Sequence, residues 1–254
     1  LETRYKLNKD YMSEFKFPTE EIDLPSKGLV YPKDNPLSSG KVEVKYMTAK
    51  EEDILTNQSY IKKGTVLDKL LESVIVSKDI NIDDIIVGDK NALLISTRIL
   101  GYGKKYEFLS RGVRHTADLT EINNKEFDIS DIEPGKNEFT YKIERTGDVI
   151  TYKILNGKDE KLIQKEIAGL KKINKESSFE LSTRLKYMIV SVNGESDRKD
   201  VRSFVDNQFL AIDSRAFRDH VRDTQPDVDL TITTDEGEEV KIPIGISFFW
   251  PDAW

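Results

Sequence analysis

Apolar residues recur through residues 88–103, GDKNALLISTRILGYG, at the spacing of an α-helix. Ala92, Leu93, Ile95, Ile99 and Leu100 make one stripe and Leu94 widens it, while Lys90, Asn91, Ser96, Thr97 and Arg98 relieve it. A helix that is apolar nearly all round is buried on several sides, so other elements are expected to pack around this one. Asp89 is the expected N-cap and Gly101 the expected left-handed stop. Upstream, Val66, Leu67, Leu70, Leu71, Val74 and Ile75 form a second wide stripe, with Thr65 and Asp68 as a capping pair. Thr48 and Glu51 make a capping box for a short helix in TAKEEDILTN. Just before it, Val42, Val44 and Tyr46 alternate with charges as a half-buried strand does.

From Lys104 the period changes to two. Tyr106 and Phe108 alternate, and so do Phe139, Tyr141 and Ile143 and then Ile150, Tyr152 and Ile154. Thr146-Gly147-Asp148 lies between the last two runs, which predicts a hairpin over 138–155. Helical spacing returns with Leu162, Ile163, Ile167 and Leu170, backed by a lysine face of Lys161, Lys165, Lys171 and Lys172, the pattern of a solvated helix side. Ser177 and Glu180 form a capping box before Leu181, Leu185, Met188, Ile189 and Val192. Asp197 caps a helix carrying Val201, Phe204 and Val205, and Asp213 or Ser214 starts another with Phe217 and Val221 inward. Val228, Leu230 and Ile232, then Val240, Ile242 and Ile244, read as strands around a turn at 235–237. Continued alternation puts Ile246 and Phe248 inward and leaves Phe249 and Trp254 for the surface, unless Gly245 hosts a bulge that inverts the faces.

Residues 1–40 break these patterns. They hold four of the eight prolines and few periodic apolar positions, which predicts an extended arm lying across its own body or a neighbour. Residues 1–11 read as an extension ahead of Met12.

Composition narrows the function classes. The chain has 254 residues, 37% hydrophobic and 33% charged, enough to bury a core beneath a very polar surface. Its 39 Lys and Arg against 46 Asp and Glu give a net charge of −7, which argues against a phosphate-neutralising surface and for protein partners. No apolar run approaches the roughly 20 residues that span a bilayer. Cysteine is absent, so disulfides, thiolate catalysis and cysteine-held zinc are excluded. Of the two histidines, His220 sits near the end of a predicted helix, where the dipole favours a cation, and His115 follows two arginines in SRGVRHT. There is no phosphate loop, dinucleotide fingerprint, H-E-x-x-H or calcium loop. No catalytic pair stands out from the surface acids, and no cofactor is expected.

The strings DLPSKGLVYP, VEVKYMTAKEEDILTN, IKKGTVLDKLL, GDKNALLISTRILGYG, LKYMIVSVNG, SFVDNQF, DSRAFRDHV, QPDVDL and FFWPD resemble, in collinear order over about 23–254, the baseplate hub protein family of T-even-like contractile-tailed bacteriophages. The resemblance implies a non-enzymatic structural subunit of the tail baseplate, present in several copies of a symmetric assembly. Its partners would be other baseplate and tail proteins, without nucleic acid or membrane. Its place would be the host cytoplasm during assembly and the virion tail afterwards. A hub assembly chaperone absent from the finished particle is the alternative, and a degenerate tail hydrolase is a third. The resemblance also implies two Cys-x-x-Cys pairs of a zinc ribbon, but residues 110–116 read SRGVRHT, and Thr233 and Glu236 stand where the second pair would be. The two loops are expected side by side even so, without metal.

The expected fold is α+β: a helical body of two segments with a small β module of zinc-ribbon-like hairpins lacking cysteines. Its divisions are an arm at 1–40, helices at 41–103, strands at 104–155, helices at 156–226, and a C-terminal hairpin and tail at 227–254. The candidate interface residues are Phe249, Trp250 and Trp254 of the tail and Leu29 and Tyr31 of the arm.

Overall fold

The computed structural model describes residues 18–110, 112–125, 127, 132–174, 178–233 and 239–249. Strand β1 (Thr19–Asp23) pairs antiparallel with β2 (Lys41–Lys45), and the helices α1 (Ala49–Thr56), α2 (Gln58–Lys63), α3 (Val66–Val74) and α4 (Val87–Tyr102) follow. Hairpin β3 (Lys105–Ser110) and β4 (Val113–Asp118) comes next, then β5 (Phe139–Lys142) and β6 (Val149–Tyr152). Helices α5 (Gly157–Ile173) and α6 (Glu180–Met188) lead into β7 (Ile189–Val192), which pairs with β6 to make a three-stranded sheet. Helices α7 (Arg198–Asn207) and α8 (Ala211–Thr224) precede a last hairpin, β8 (Thr231–Thr233) and β9 (Glu239–Lys241). The protein is α+β, with eight helices and four small antiparallel sheets among the described residues.

Two main cores divide these elements. The first takes Leu24, Leu37, Val44, Leu55, Leu70 and Leu93, together with Tyr106 from β3 and Phe248 near the end of the chain. The second takes Ile150, Ile189, Val201, Phe204, Phe217 and Val221, and so lies within a stretch of chain inserted between two parts of the first. A small third cluster, Leu155, Ile163 and Ile167, seats α5. Each fully buried side chain of this size is worth about 2 kcal/mol of transfer free energy, so both main cores can hold their elements without disulfides.

Helix α4 is the central element of the first core. Ala92, Leu93, Leu94, Ile95, Thr97 and Arg98 are all buried, as an all-round apolar helix requires. Its first turn approaches the chain from α8 so closely that a Cβ on Gly88 would lie 2.0 Å from the Pro226 carbonyl oxygen. Only glycine permits that approach. The capping box of Thr48 and Glu51 forms, the Asp197 side chain accepts from the Lys199 amide at 2.7 Å, and the expected hairpin closes between β5 and β6, with Tyr141 opposite Ile150.

Several expectations are corrected. Helix α4 begins at Val87, which puts Asp89 inside the first turn, and it runs on through Gly101 to stop at Gly103, where φ is +84°. Thr65 precedes α3 without a side-chain cap, and Asp68 instead pairs with Lys90 of α4. The stripe continued through Ile189 and Val192 breaks at Met188: the β-branched run Ile189-Val190-Ser191-Val192 becomes a strand because β6 has a free edge to receive it. Helix α8 begins at Ala211 rather than at Asp213 or Ser214.

Residues 18–40 are no free arm. Strand β1 pairs along the whole of β2, and Leu24, Val30, Tyr31 and Leu37 are buried in the first core. The prolines punctuate turns that each tuck one apolar residue inward, which leaves no period to read. The expected single β module also divides. Residues 105–118 and 228–249 share the first core, while 139–152 joins β7 and the helices of the second. The segment Ile246–Phe249 is a 3₁₀ turn rather than a continued strand, so Phe248 and Phe249 both point inward. Residues 1–17, Ser177 and the 235–237 turn lie outside the described residues, as does enough of the two ribbon-like loops that their spacing is not established.

Candidate interaction surface

Of the residues expected at an interface, Tyr31 and Phe249 are buried, at 4% and 0% exposure, and Leu29 is half-buried. Trp250 and Trp254 lie outside the described residues. Tyr31 is committed to a polar node inside the first core. Its hydroxyl donates to Asp89 Oδ2 at 2.6 Å and accepts from the Ile86 amide at 3.1 Å. The Ser26 amide donates to Asp89 Oδ1 at 2.9 Å and the Ser26 hydroxyl to Oδ2 at 2.7 Å. Burial pushes the Asp89 carboxyl above its ordinary range against the pull of these three donors. The node fastens the 24–31 turn to α4.

A second buried carboxylate, Glu51, ties α1 to its neighbours. Its oxygens accept from Lys45 Nζ at 2.8 Å, the Ser73 hydroxyl at 2.6 Å, the Thr48 hydroxyl at 2.7 Å and the Thr48 amide at 2.9 Å. Burial alone would raise this carboxyl, but the four donors overcome it and hold it down at about 2. Both carboxylates are spent on hydrogen bonds that join elements of the fold.

A cleft of about 760 Å³ lies where α3, α4 and α5 meet. Its charges are matched across it: Lys90 faces Asp68, Arg184 faces Glu160 at 3.0 Å, and Lys161 faces Asp83 at 2.6 Å. Of these pairs, Lys161–Asp83 ties α5 to the turn before α4, while the other two join neighbouring helices, α3 to α4 and α5 to α6. Among the described residues, no group of three or more His, Asp or Glu could hold a metal ion, and no helix is long and apolar enough to cross a membrane.

The two histidines face different surroundings. His115 packs its ring beside Phe108 at 5.6 Å between centroids. His220 lies against the second core, with Nε2 3.2 Å from the Tyr152 hydroxyl and its ring 4.9 Å from that of Tyr141. Burial lowers its affinity for a proton, although Asp223 pulls the other way, which works against the cation that the helix dipole favours at this position. The native state therefore binds a proton at His220 less readily than the unfolded chain. Its contribution is complete above the ordinary value of 6.5 and is lost as pH falls through the lower native one. Thermal unfolding from pH 8 down to pH 5 is expected to show a falling midpoint, and His220→Gln, which cannot titrate, should flatten that fall. An equal fall in both proteins would place the effect elsewhere.

Apolar side chains stand exposed at the ends of two elements. Leu109 and Val113 stand 68% and 49% exposed near the tip of the β3–β4 hairpin, and Leu210 and Ile212 stand 49% and 69% exposed where α8 begins. Periodicity did not single these out, because an apolar residue at an element's end looks the same in sequence whether a neighbour covers it or not. No known protein family matches the chain, and neither does any curated protein or solved structure.

Proposed function

We propose that the chain is a non-enzymatic structural subunit of the baseplate hub of a contractile phage tail, working through contacts with other baseplate and tail proteins. The observation that carries this reading is the collinear run of strings from DLPSKGLVYP to FFWPD. It is supported by apolar residues held out at element ends and by acids that are either saturated or ion-paired. In such an assembly the chain recurs in several copies, and it meets its neighbours first in the host cytoplasm and finally in the tail.

Mass spectrometry of purified tails tests the reading. A structural subunit is expected in finished particles at a stoichiometry comparable with other baseplate proteins. Recovery in assembly intermediates but not in finished tails would make it an assembly chaperone instead. Absence from both would overturn the reading.

A further inference from the structure

Strand β3 has one edge paired and one edge open. The Leu119 amide donates to the Lys104 carbonyl at 2.8 Å, and the register continues without a break through Tyr106 opposite Ala117, Phe108 opposite His115 and Ser110 opposite Val113. In an antiparallel pair, alternate residues turn their amide and carbonyl toward the partner and the rest turn them away. Residues 104, 106, 108 and 110 therefore bond to β4, and the backbone of Lys105, Glu107 and Leu109 faces outward. Among the described residues nothing bonds to those outward groups: β3 and β4 form a two-stranded sheet, and no hydrogen bond elsewhere uses the backbone of Lys105, Glu107 or Leu109.

The open edge lies in a groove. A depression of about 260 Å³ runs along residues 106–109 and is walled on its far side by Pro243 and Ser247. The edge is rigid, because Tyr106 and Phe108 stack at 5.4 Å and Tyr106 meets Phe248 edge-on at 4.8 Å. Exposed edges are usually blunted by charged side chains, a proline, a bulge or a cover, and of these β3 carries only the charges of Lys105 and Glu107. This one has an unbroken six-residue register, no proline, and Leu109 largely exposed. On its solvent face one carboxylate, Glu107, meets two cations, Lys105 and Arg114, each at 3.2 Å and each 71% exposed. The local excess is positive on a chain of net charge −7.

We propose that the outer edge of β3 is a strand-addition site that takes an extended segment of a partner protein, with an acidic residue set against Lys105 and Arg114. Main-chain hydrogen bonds to Glu107 and Leu109 would hold the segment, and the cation pair would choose it. The inference rests on the proposed function only in taking the partner to be another protein.

Hydrogen exchange on the full chain tests it without the tail. In isolated protein the amides of Tyr106 and Phe108 are expected to exchange slowly and those of Glu107 and Leu109 rapidly. The probe is a short synthetic peptide alternating valine and threonine around a central glutamate, with a control carrying lysine in its place. The glutamate peptide should protect Glu107 and Leu109 at least tenfold, and the lysine peptide should not. Leu109→Pro removes only an outward amide, so it should keep the wild-type melting temperature yet lose the protection, whereas Phe108→Pro breaks the pairing with His115 and should loosen the hairpin. Slow exchange of Glu107 and Leu109 in the isolated chain, no protection by the glutamate peptide, or undiminished protection in Leu109→Pro would overturn the site. Equal protection by both peptides would overturn the acidic partner. Absence of the chain from purified tails would leave each of these outcomes as it stands.

Discussion

Replacing Asp89 with alanine is expected to lower the stability of the protein by about 4 kcal/mol, the sum of two to three buried donors left without an acceptor. The Ser26 amide and hydroxyl lose their only partner in the node, and the Tyr31 hydroxyl keeps only the bond from Ile86. The damage should be local at first: the 24–31 turn comes away from α4, and with it the apolar residues Leu24, Val30 and Tyr31. Asp89→Asn keeps one acceptor and should lose roughly half as much. The pH dependence has a definite sign. A carboxyl raised in the native state binds its proton more tightly there than in the unfolded chain, so its contribution is greatest below the ordinary value and shrinks as pH rises through the native one. The stability gap between wild type and Asp89→Asn is therefore expected to narrow from acid toward neutral pH. Urea unfolding of both proteins between pH 4 and pH 7 measures it, and a gap that widens would mean the three donors outweigh burial.

Glu51→Ala is expected to cost about 3 kcal/mol, combining the loss of a buried charge-assisted cluster with the loss of a helix cap. One carboxylate serves β2 through Lys45, α1 through Thr48 and α3 through Ser73, so no single element's loss accounts for the whole effect. Its pH dependence runs opposite to that of Asp89. With the native carboxyl held at about 2, the contribution is complete above the unfolded value of 4.5 and is lost as pH falls toward the native one. Glu51→Gln should therefore fall well short of wild type at pH 6 and approach it at pH 3. A gap independent of pH would show that packing, not charge, sets the value of the site.

The sequence made local elements legible wherever one period held long enough. The α3 stripe, the Thr48–Glu51 box, the Asp197 cap and the 139–152 hairpin needed only neighbours within a few residues. What it hid depended on partners far along the chain. Asp89 reads as a cap because a short acid opens a helical stripe, but the donors it satisfies belong to Ser26, 63 residues away. Ile189 and Val192 fit a helical stripe and a strand equally well, and only the free edge of β6 decides between them. The burial of Tyr31 and Phe249 was hidden for a related reason: they are large aromatics in stretches without periodicity, and nothing local shows that the first core takes them in. The open edge of β3 was out of reach as well, since it depends on which hydrogen bonds of a known hairpin point outward.

The first core has a consequence for the chain as it leaves the ribosome. Apart from Ile154, its buried residues come from 24–119 and from 228–249, made at different times, and the whole of the second core is translated in the interval. The inserted body can close around Phe217 while the earlier residues still lack Val228, Leu230, Ile242 and Phe248. Until those emerge, Tyr106 has no edge-on partner and the Gly88 turn has no Pro226 to press against. The nascent protein thus carries an apolar face bare for the length of an entire folding unit, and that is the period in which a holdase would find it.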